Sequence, residues 1–588
     1  MRGMVILALG VMASAGIARA AEGDALRLLK RWGDALVVRQ VRGTSDPALD
    51  GGILCPACAF VHGRIADAVW PLCVLWEKTG EERYLSAARA AVTWAETNML
   101  RPDGSWCNDY KNPWKGTVSF AQIALGKTLV RYEKRLPDEI HREWRRIFER
   151  QSAFLVTLFR RTPNFRPVIN YPVAYCQSMA LAWKVTGRAE YRQEAETMLA
   201  RTVLPAFLPD GLLSGEGRTP AQTGRTGKGC AFVDFGYNLE ESLPSLMETA
   251  ELLNDERLLR QVVFSSRVHL EMLLPDGAID DSCGSRAPKW TYYGSRTSDG
   301  VLPLLSALAR RGEPYAQKAI ARRLSLLTRC TTSSGLLAGG LDYEKANEWP
   351  CIHHTFTHAK ALAQLVVDGI PGGGHGVLPR EIAPRLVRFD SIATTLAAIG
   401  PWRATFSVND GLCDGRRSAG NGSGLSLLWH EDVGPVIAST MYLYKPVEPT
   451  NFQDLRHQER IRSAAPCIES GNRTSALDVG STLTTRFDGT NFVATVVGRL
   501  ADADSSDGAP FEIVYVLTAK SLEIRANCGA DFRYVIPMRG GRVSSSRPVG
   551  CEQTERGVFD FTPIGGFMTH RHFVEGKAGE TVRLLVEN

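Results

Sequence analysis

The chain has 588 residues, of which 44% are apolar and 22% charged, and 69 basic against 63 acidic side chains give a net charge of +6. This balance excludes collagen-like, disordered and coiled-coil chains. The small basic surplus, without Lys/Arg blocks, excludes a general nucleic-acid binder and leaves room for a local cleft that takes an acidic ligand.

The N-terminus reads as a secretory signal peptide over residues 1–20. Arg2 precedes an uncharged run from Val5 to Ile17, followed by the small-x-small site Ala18-Arg19-Ala20. The run is too short to span a bilayer. Its removal takes two basic residues and leaves a charge of +4. No later apolar stretch is long enough to cross a membrane, so an exported protein, secreted or periplasmic, is expected. Thirteen cysteines are an odd number, so in an oxidising compartment at least one thiol stays unpaired. Cys55-Pro-Ala-Cys58 is the only close pair. One such motif without a second reads as a local disulfide or two buried thiols before it reads as zinc or redox chemistry.

A repeat follows. Trp76-Glu77-Lys78-Thr79-Gly80 leads through a helical stretch to Pro102-Asp103-Gly104, and Trp183-Lys184-Val185-Thr186-Gly187 leads to Pro209-Asp210-Gly211. Leu253-Asn254-Asp255 leads in the same way to Pro275-Asp276-Gly277. Gly and Asn suit a left-handed helix end, and Pro-Asp-Gly suits a tight turn. Leu85, Ala88, Val92, Ala95 and Met99 line one helical face. Repeated helical hairpins with uneven loops predict an (α/α) toroid, an incomplete barrel of helical hairpins, over residues 21–384. Pro371-Gly372-Gly373-Gly374 breaks the last helix. Short alternating runs then predict an antiparallel β-sandwich over 385–588. They include Thr405–Val408, Val436–Tyr444, Thr482–Phe487, Phe492–Val497, Phe511–Leu517 and Val582–Val586.

Four loops gather aromatic, basic and titratable residues. The first holds Asp103 to Tyr110 with Trp106 and Asn108, then Trp114-Lys115; the second is Asp234 to Glu241 with Asn238. The third, Asp276 to Gly300, carries Lys289-Trp290-Thr291-Tyr292-Tyr293-Gly294-Ser295-Arg296. The fourth, Trp349 to His358, carries His353 and His354 at a predicted helix start. Aromatic faces stack on sugar rings and cations pair with carboxylate or sulfate. Trp106, Asn108, Trp290, Tyr292, Arg296, Trp349 and His353 are therefore candidate contacts to an acidic polysaccharide. His353, His354, His358 and Glu348 could alternatively hold a metal, although no cofactor is expected and a structural divalent ion stays open.

A toroid followed by a sandwich, with these loops, resembles the polysaccharide lyases, above all the heparinase II/III-like group. The resemblance implies β-elimination from a uronic acid. It implies Tyr293 before Gly294 at the opening of a helix as catalytic acid, and Asn238 as the group that neutralises the uronate carboxylate. It also implies a histidine base in the sandwich, for which His430 is placed suitably and His354 is the rival. Tyr292 competes with Tyr293. The chemistry fits, because removing the C5 proton needs the neighbouring carboxylate stabilised and a proton supplied to the leaving oxygen.

Two other readings stand beside it. A glycoside hydrolase would use paired carboxylates, Asp234 with Asp280 or Asp281. A non-catalytic glycan-binding protein would keep the aromatic and basic loops alone. Oligomeric state is not legible.

Overall fold

The computed structural model describes residues 21–108, 114–161, 168–217, 224–371, 376–413, 416–417, 422–439, 464–502, 505–553, 560–562 and 564–588. The expected signal peptide, Asp109 and Tyr110, Gly372 to Gly374 and the end of the Val436–Tyr444 run lie outside them.

Left-handed residues end the first helix of each predicted hairpin, with φ of 72° at Gly80, 72° at Gly187 and 56° at Asn254. The second helices are Glu82–Asn98, Ala189–Met198 and Glu256–His269. Each is followed by the same turn. Leu100 bridges Trp106, Phe207 bridges Leu213 and Leu273 bridges Ile279. In all three the aspartate accepts the N–H two residues on, at 3.2, 3.2 and 3.1 Å. The glycine that follows takes φ of 85°, 91° and 90°. A fourth copy closes Thr331 onto Leu337 around Gly335 at 80°, with Ser333-Ser334 in place of Pro-Asp.

These glycines differ in the space around them. A Cβ at Gly187 meets nothing within 4 Å, whereas one at Gly277 would lie 2.7 Å from the backbone carbonyl carbon of Arg322. Gly187→Ala should therefore cost about 1 kcal/mol, for the left-handed backbone alone. Gly277→Ala should cost about 1–3 kcal/mol beyond that, because backbone has to move. Urea unfolding of the two variants measures the difference.

Among the described residues six inner helices form a closed ring: Val69–Thr79, Val118–Tyr132, Asn170–Thr186, Leu243–Leu253, Leu302–Arg310 and Ile352–Asp368. Each packs on the next, and the last returns to the first. Burial separates them from their outer partners. Thirteen of the seventeen residues of Ile352–Asp368 are buried, against eight of twenty-four in the outer helix Asp138–Arg161. An outer helix over 21–38 meets the far end of the ring, where the Trp32 indole N–H donates to Thr331 at 2.9 Å.

Among the described residues all strands after the toroid pair antiparallel. The first is Arg385–Phe389, at the edge of a five-stranded sheet with Thr394–Ile399, Trp402–Ser407, Leu425–His430 and Gly434–Ala438. One face of this sheet, with Ala397, Ile399, Phe406 and Leu428, packs on a six-stranded sheet through Phe492, Ile513, Tyr515 and Ile524. The other face, with Leu396, Leu427, Trp429 and Ala438, belongs to the toroid's own core. A further sheet runs through Phe532–Met538 and Phe567–Gly576. No disulfide joins Cys55 to Cys58, and Cys58 is partly exposed. Among the described residues no helix is long and apolar enough to cross a membrane.

Candidate active site

The segment Asp234–Glu241 is the entry of an inner helix rather than a loop. The Asp234 carboxylate accepts the Tyr237 N–H at 2.8 Å and caps it. A π-turn over Asn238–Ser242 then joins Leu243–Leu253. Such turns widen a helix and occur often at functional sites. Here the π-turn carries Glu240 and Glu241 into the interior.

Glu240 organises its surroundings. One oxygen pairs with the Arg323 guanidinium. The other accepts the Ser295 N–H at 2.8 Å, the Ser298 hydroxyl at 2.7 Å and His358 Nε2 at 3.3 Å. Burial alone would raise this carboxyl, but His358 and Arg323 outweigh it and hold it below the usual range. Nδ1 of His358 faces the carbonyl of His354 at 2.9 Å. The two ring nitrogens of His358 thus face a carbonyl and a carboxylate oxygen, which hold the ring in place.

The Ser295 contact fixes a two-stranded hairpin, Trp290–Thr291 against Gly294–Ser295, with Tyr292 and Tyr293 at its turn. Tyr293-Gly294 thus forms a hairpin and does not open a helix; the next helix starts at Leu302. Gly294 is needed for close approach, since a Cβ there would fall on the Glu240 carboxylate. The two tyrosines part at the turn. Tyr292 donates to Asp276 at 2.8 Å, accepts from the Trp429 indole at 3.2 Å and packs its ring on Phe567. Tyr293 instead places its hydroxyl 2.9 Å from Nδ1 of His354 and its ring edge-on to His358.

His354 lies on the helix Ile352–Asp368, one turn before His358. Burial, then the charges of His358 and Arg296, push its imidazole well below the usual value. Burial, then the neighbouring Cys330 and the Glu240 carboxylate, push the Tyr293 phenol well above its own. At neutral pH the contact therefore joins an unprotonated imidazole to a protonated phenol, a base beside an acid. Arg286, Lys289 and Arg296 add positive charge along the same segment. The Arg286 guanidinium lies 3.9 Å from the centre of the Tyr237 ring, and Lys289 reaches the Tyr237 hydroxyl at 3.3 Å.

Several expected roles do not match their surroundings. Asn238 is fully buried, and its amide donates to the Leu213 carbonyl at 2.7 Å and lies 3.1 Å from His269. An amide engaged in this way is not presented to a substrate carboxylate. His430 accepts the Asp432 N–H and stacks edge-on at 4.4 Å against Trp402, within the sandwich. Trp106 donates to Glu96, and Trp290 donates to the Ile279 carbonyl and packs edge-on against Phe567, so both indoles are held by protein partners. Tyr292 is lost to stacking for the same reason. Asn108 is buried, with its backbone N–H on the Trp114 carbonyl, and Trp349 is half exposed. His353 stacks on Phe356. The three helix histidines thus face three different partners and do not converge on a metal.

Asp234 and Asp281 touch each other and accept backbone N–H groups of Tyr237, Arg286 and Phe235. Asp280 accepts from Thr405. A hydrolase needs two carboxylates roughly 5–10 Å apart across the scissile bond, whereas Asp234 and Asp281 are in contact and all three are buried and hydrogen-bonded within the protein. Glu240 and Arg323 were not anticipated. The one sequence signal for Glu240 is a charged pair, Glu240-Glu241, set in the apolar approach to a helix.

Comparisons with known proteins agree with the architecture. The ulvan lyase N-terminal domain matches residues 29–371 and the ulvan lyase C-terminal domain matches residues 386–539. The broad-specificity ulvan lyase of Formosa agariphila is 35% identical over 433 residues, covering 72% of this chain and 67% of the relative. Among solved structures, the chondroitin AC lyase of Streptomyces coelicolor A3 superposes with a TM-score of 0.53 at 13% identity, over 96% of this chain and 79% of that one. The heparan sulfate lyase HepC of Pedobacter heparinus matches with a TM-score of 0.44 at 10% identity, over 95% and 82%. The hydrolase and binding-protein readings give way on the family evidence. A toroid and a sandwich, each matching the corresponding ulvan lyase domain, place the chain in the ulvan lyase family and make it a polysaccharide lyase.

Proposed function

We propose that this lyase cleaves an acidic, uronate-containing polysaccharide of the ulvan type by β-elimination, with His354 as base and Tyr293 as acid. The contact between Nδ1 of His354 and the Tyr293 hydroxyl, 2.9 Å long, carries the reading. The neutral imidazole takes the C5 proton, and the phenol protonates the departing glycosidic oxygen. The pair is then left as imidazolium and phenolate. One proton passed back along the same hydrogen bond restores both, so the cycle needs no outside acid or base. Arg296, close enough to His354 to act on its titration, stabilises the uronate carboxylate as charge builds up at C5. It takes the place expected for Asn238. Both reacting side chains are at most 1% exposed. Substrate must therefore displace what covers them, which also keeps water away from the developing charge.

The matched relative supplies the substrate class, and the cations along 286–296 suit an acidic chain. Export through the 1–20 signal peptide belongs to the same proposal. Ulvan and a panel of other uronate polysaccharides, incubated with the protein, should yield a product with the ultraviolet absorbance of a 4,5-unsaturated uronate. New reducing ends without that absorbance would mean hydrolysis and would overturn the reading.

A further inference from the structure

The helix Ile352–Asp368, which carries His354, starts from a cluster of sulfur and nitrogen atoms. Cys55, Cys58, His62 and Cys351 each direct one ligand atom into a common space, all within 4.8 Å of one another. Among the described residues no other group of three or more such side chains does so. We propose that these four residues bind one zinc ion, which fixes the catalytic helix to the segment that precedes the ring.

The distances have the dimensions of a tetrahedral site. The Cys351 sulfur is 3.8 Å from that of Cys55 and 3.8 Å from that of Cys58. With Zn–S bonds of about 2.3 Å, the edge of a tetrahedron is about 3.8 Å. A disulfide would need about 2.05 Å. Nε2 of His62 lies 3.3 Å from the Cys351 sulfur. Three thiolates and an imidazole are soft and borderline ligands, which select zinc over magnesium or calcium. Four protein ligands leave no open position, so the ion is structural.

The chain is shaped for the purpose. Leu54 bridges Val61, and the Cys55 N–H donates to the Phe60 carbonyl at 3.0 Å, so residues 54–61 form a tight hairpin. Ala59, directly after Cys58, takes the left-handed φ of 56°. A side chain rarely adopts that conformation, and here it turns the chain so that His62 follows back toward the two sulfurs. Cys351 caps the helix, and the Ile352 N–H donates to the Cys55 sulfur at 3.4 Å. Binding releases three thiol protons and leaves a net charge of −1 on the site. The helix N-terminus and the nearby Arg39 are placed to balance it. Cys55, His62 and Cys351 are at most 2% exposed. His354 sits within one helical turn of Cys351, so the ion positions the base without touching substrate.

The full-length protein, expressed without a histidine tag and desalted, tests this by elemental analysis. About one zinc per chain is expected. X-ray absorption should show three sulfur neighbours and one nitrogen at tetrahedral distances. His62→Ala and Cys58→Ser should lose most of the zinc, whereas Cys283→Ser, at a buried cysteine in the Asp276–Gly300 segment, should keep it. Should the variants fail to fold, the wild type still decides. Titrating its thiols with an organomercurial should release zinc to a colorimetric chelator in step with three thiols. Folded wild-type protein without stoichiometric zinc would overturn the proposal. So would a mass two units low from a disulfide among Cys55, Cys58 and Cys351.

Discussion

Tyr293→Phe should lower kcat by about 10²–10⁴-fold while the protein stays folded and still binds its polysaccharide. Only one oxygen is removed, and the ring keeps its edge-on packing at 4.8 Å against His358. Tyr292→Phe is the matched control. It loses hydrogen bonds to Asp276 and Trp429, which should cost about 0.5–1.5 kcal/mol of stability and little turnover. The pH profile carries the same information. Burial lowers the His354 pKa, so the unprotonated base persists to more acidic pH than a free imidazole would. The acid limb of kcat should lie below the ordinary imidazole value of about 6.5, and the raised Tyr293 phenol should keep the alkaline limb above about 10. Full activity in Tyr293→Phe on a verified substrate would remove the pair from the mechanism.

Glu240→Ala should be the most destabilising single change near the site, at about 3–5 kcal/mol. Arg323 is fully buried, and beyond Glu240 it retains a hydrogen bond to the Gly277 carbonyl. Removing the carboxylate strands that charge and also frees the Ser295 N–H that holds the Tyr293 hairpin. Turnover should therefore fall together with the urea midpoint. The sign of the pH effect follows from the lowered carboxyl. In wild type the stabilisation is present above the unfolded value of about 4.3 and is lost as pH falls through the folded one, so the variant should lack that part of the acid sensitivity. A wild-type midpoint in Glu240→Ala would mean that the ion pair contributes nothing net.

The toroid was legible because its punctuation is local. Gly80, Gly187 and Asn254 each need a left-handed backbone, and three Asp-Gly turns repeat one hydrogen bond. The fourth turn escaped because Ser333-Ser334-Gly335 makes it without Pro-Asp. Strands with one wet face, such as Thr482–Phe487 and Phe492–Arg499, show in the alternation of their residues. Thr394–Ile399 and Leu425–His430 are buried on both faces, and their polar residues Thr394, Thr395 and Ser426 do not alternate with the apolar ones, so no period of two shows. The site was legible in part. Tyr293 and His354 were both named, but their meeting depends on a hairpin and a helix 61 residues apart, and no spacing rule gives that. Asn238 and Glu240 are two residues apart on a π-turn, and only the path of that turn decides which one reaches the hairpin.

The five-stranded sheet with two dry faces makes the lobes inseparable. Its Leu427 and Trp429 complete the interior of the ring, while Leu428 and Phe406 complete the interior of the sandwich. Detaching either lobe would strip a wall from the other and expose its oily lining to water. What looks in the sequence like a catalytic module with an appended accessory is thus one cooperative body. The sandwich helps to hold the very hairpin that carries Tyr293, since Trp429 hydrogen-bonds Tyr292 and Phe567 packs beneath it.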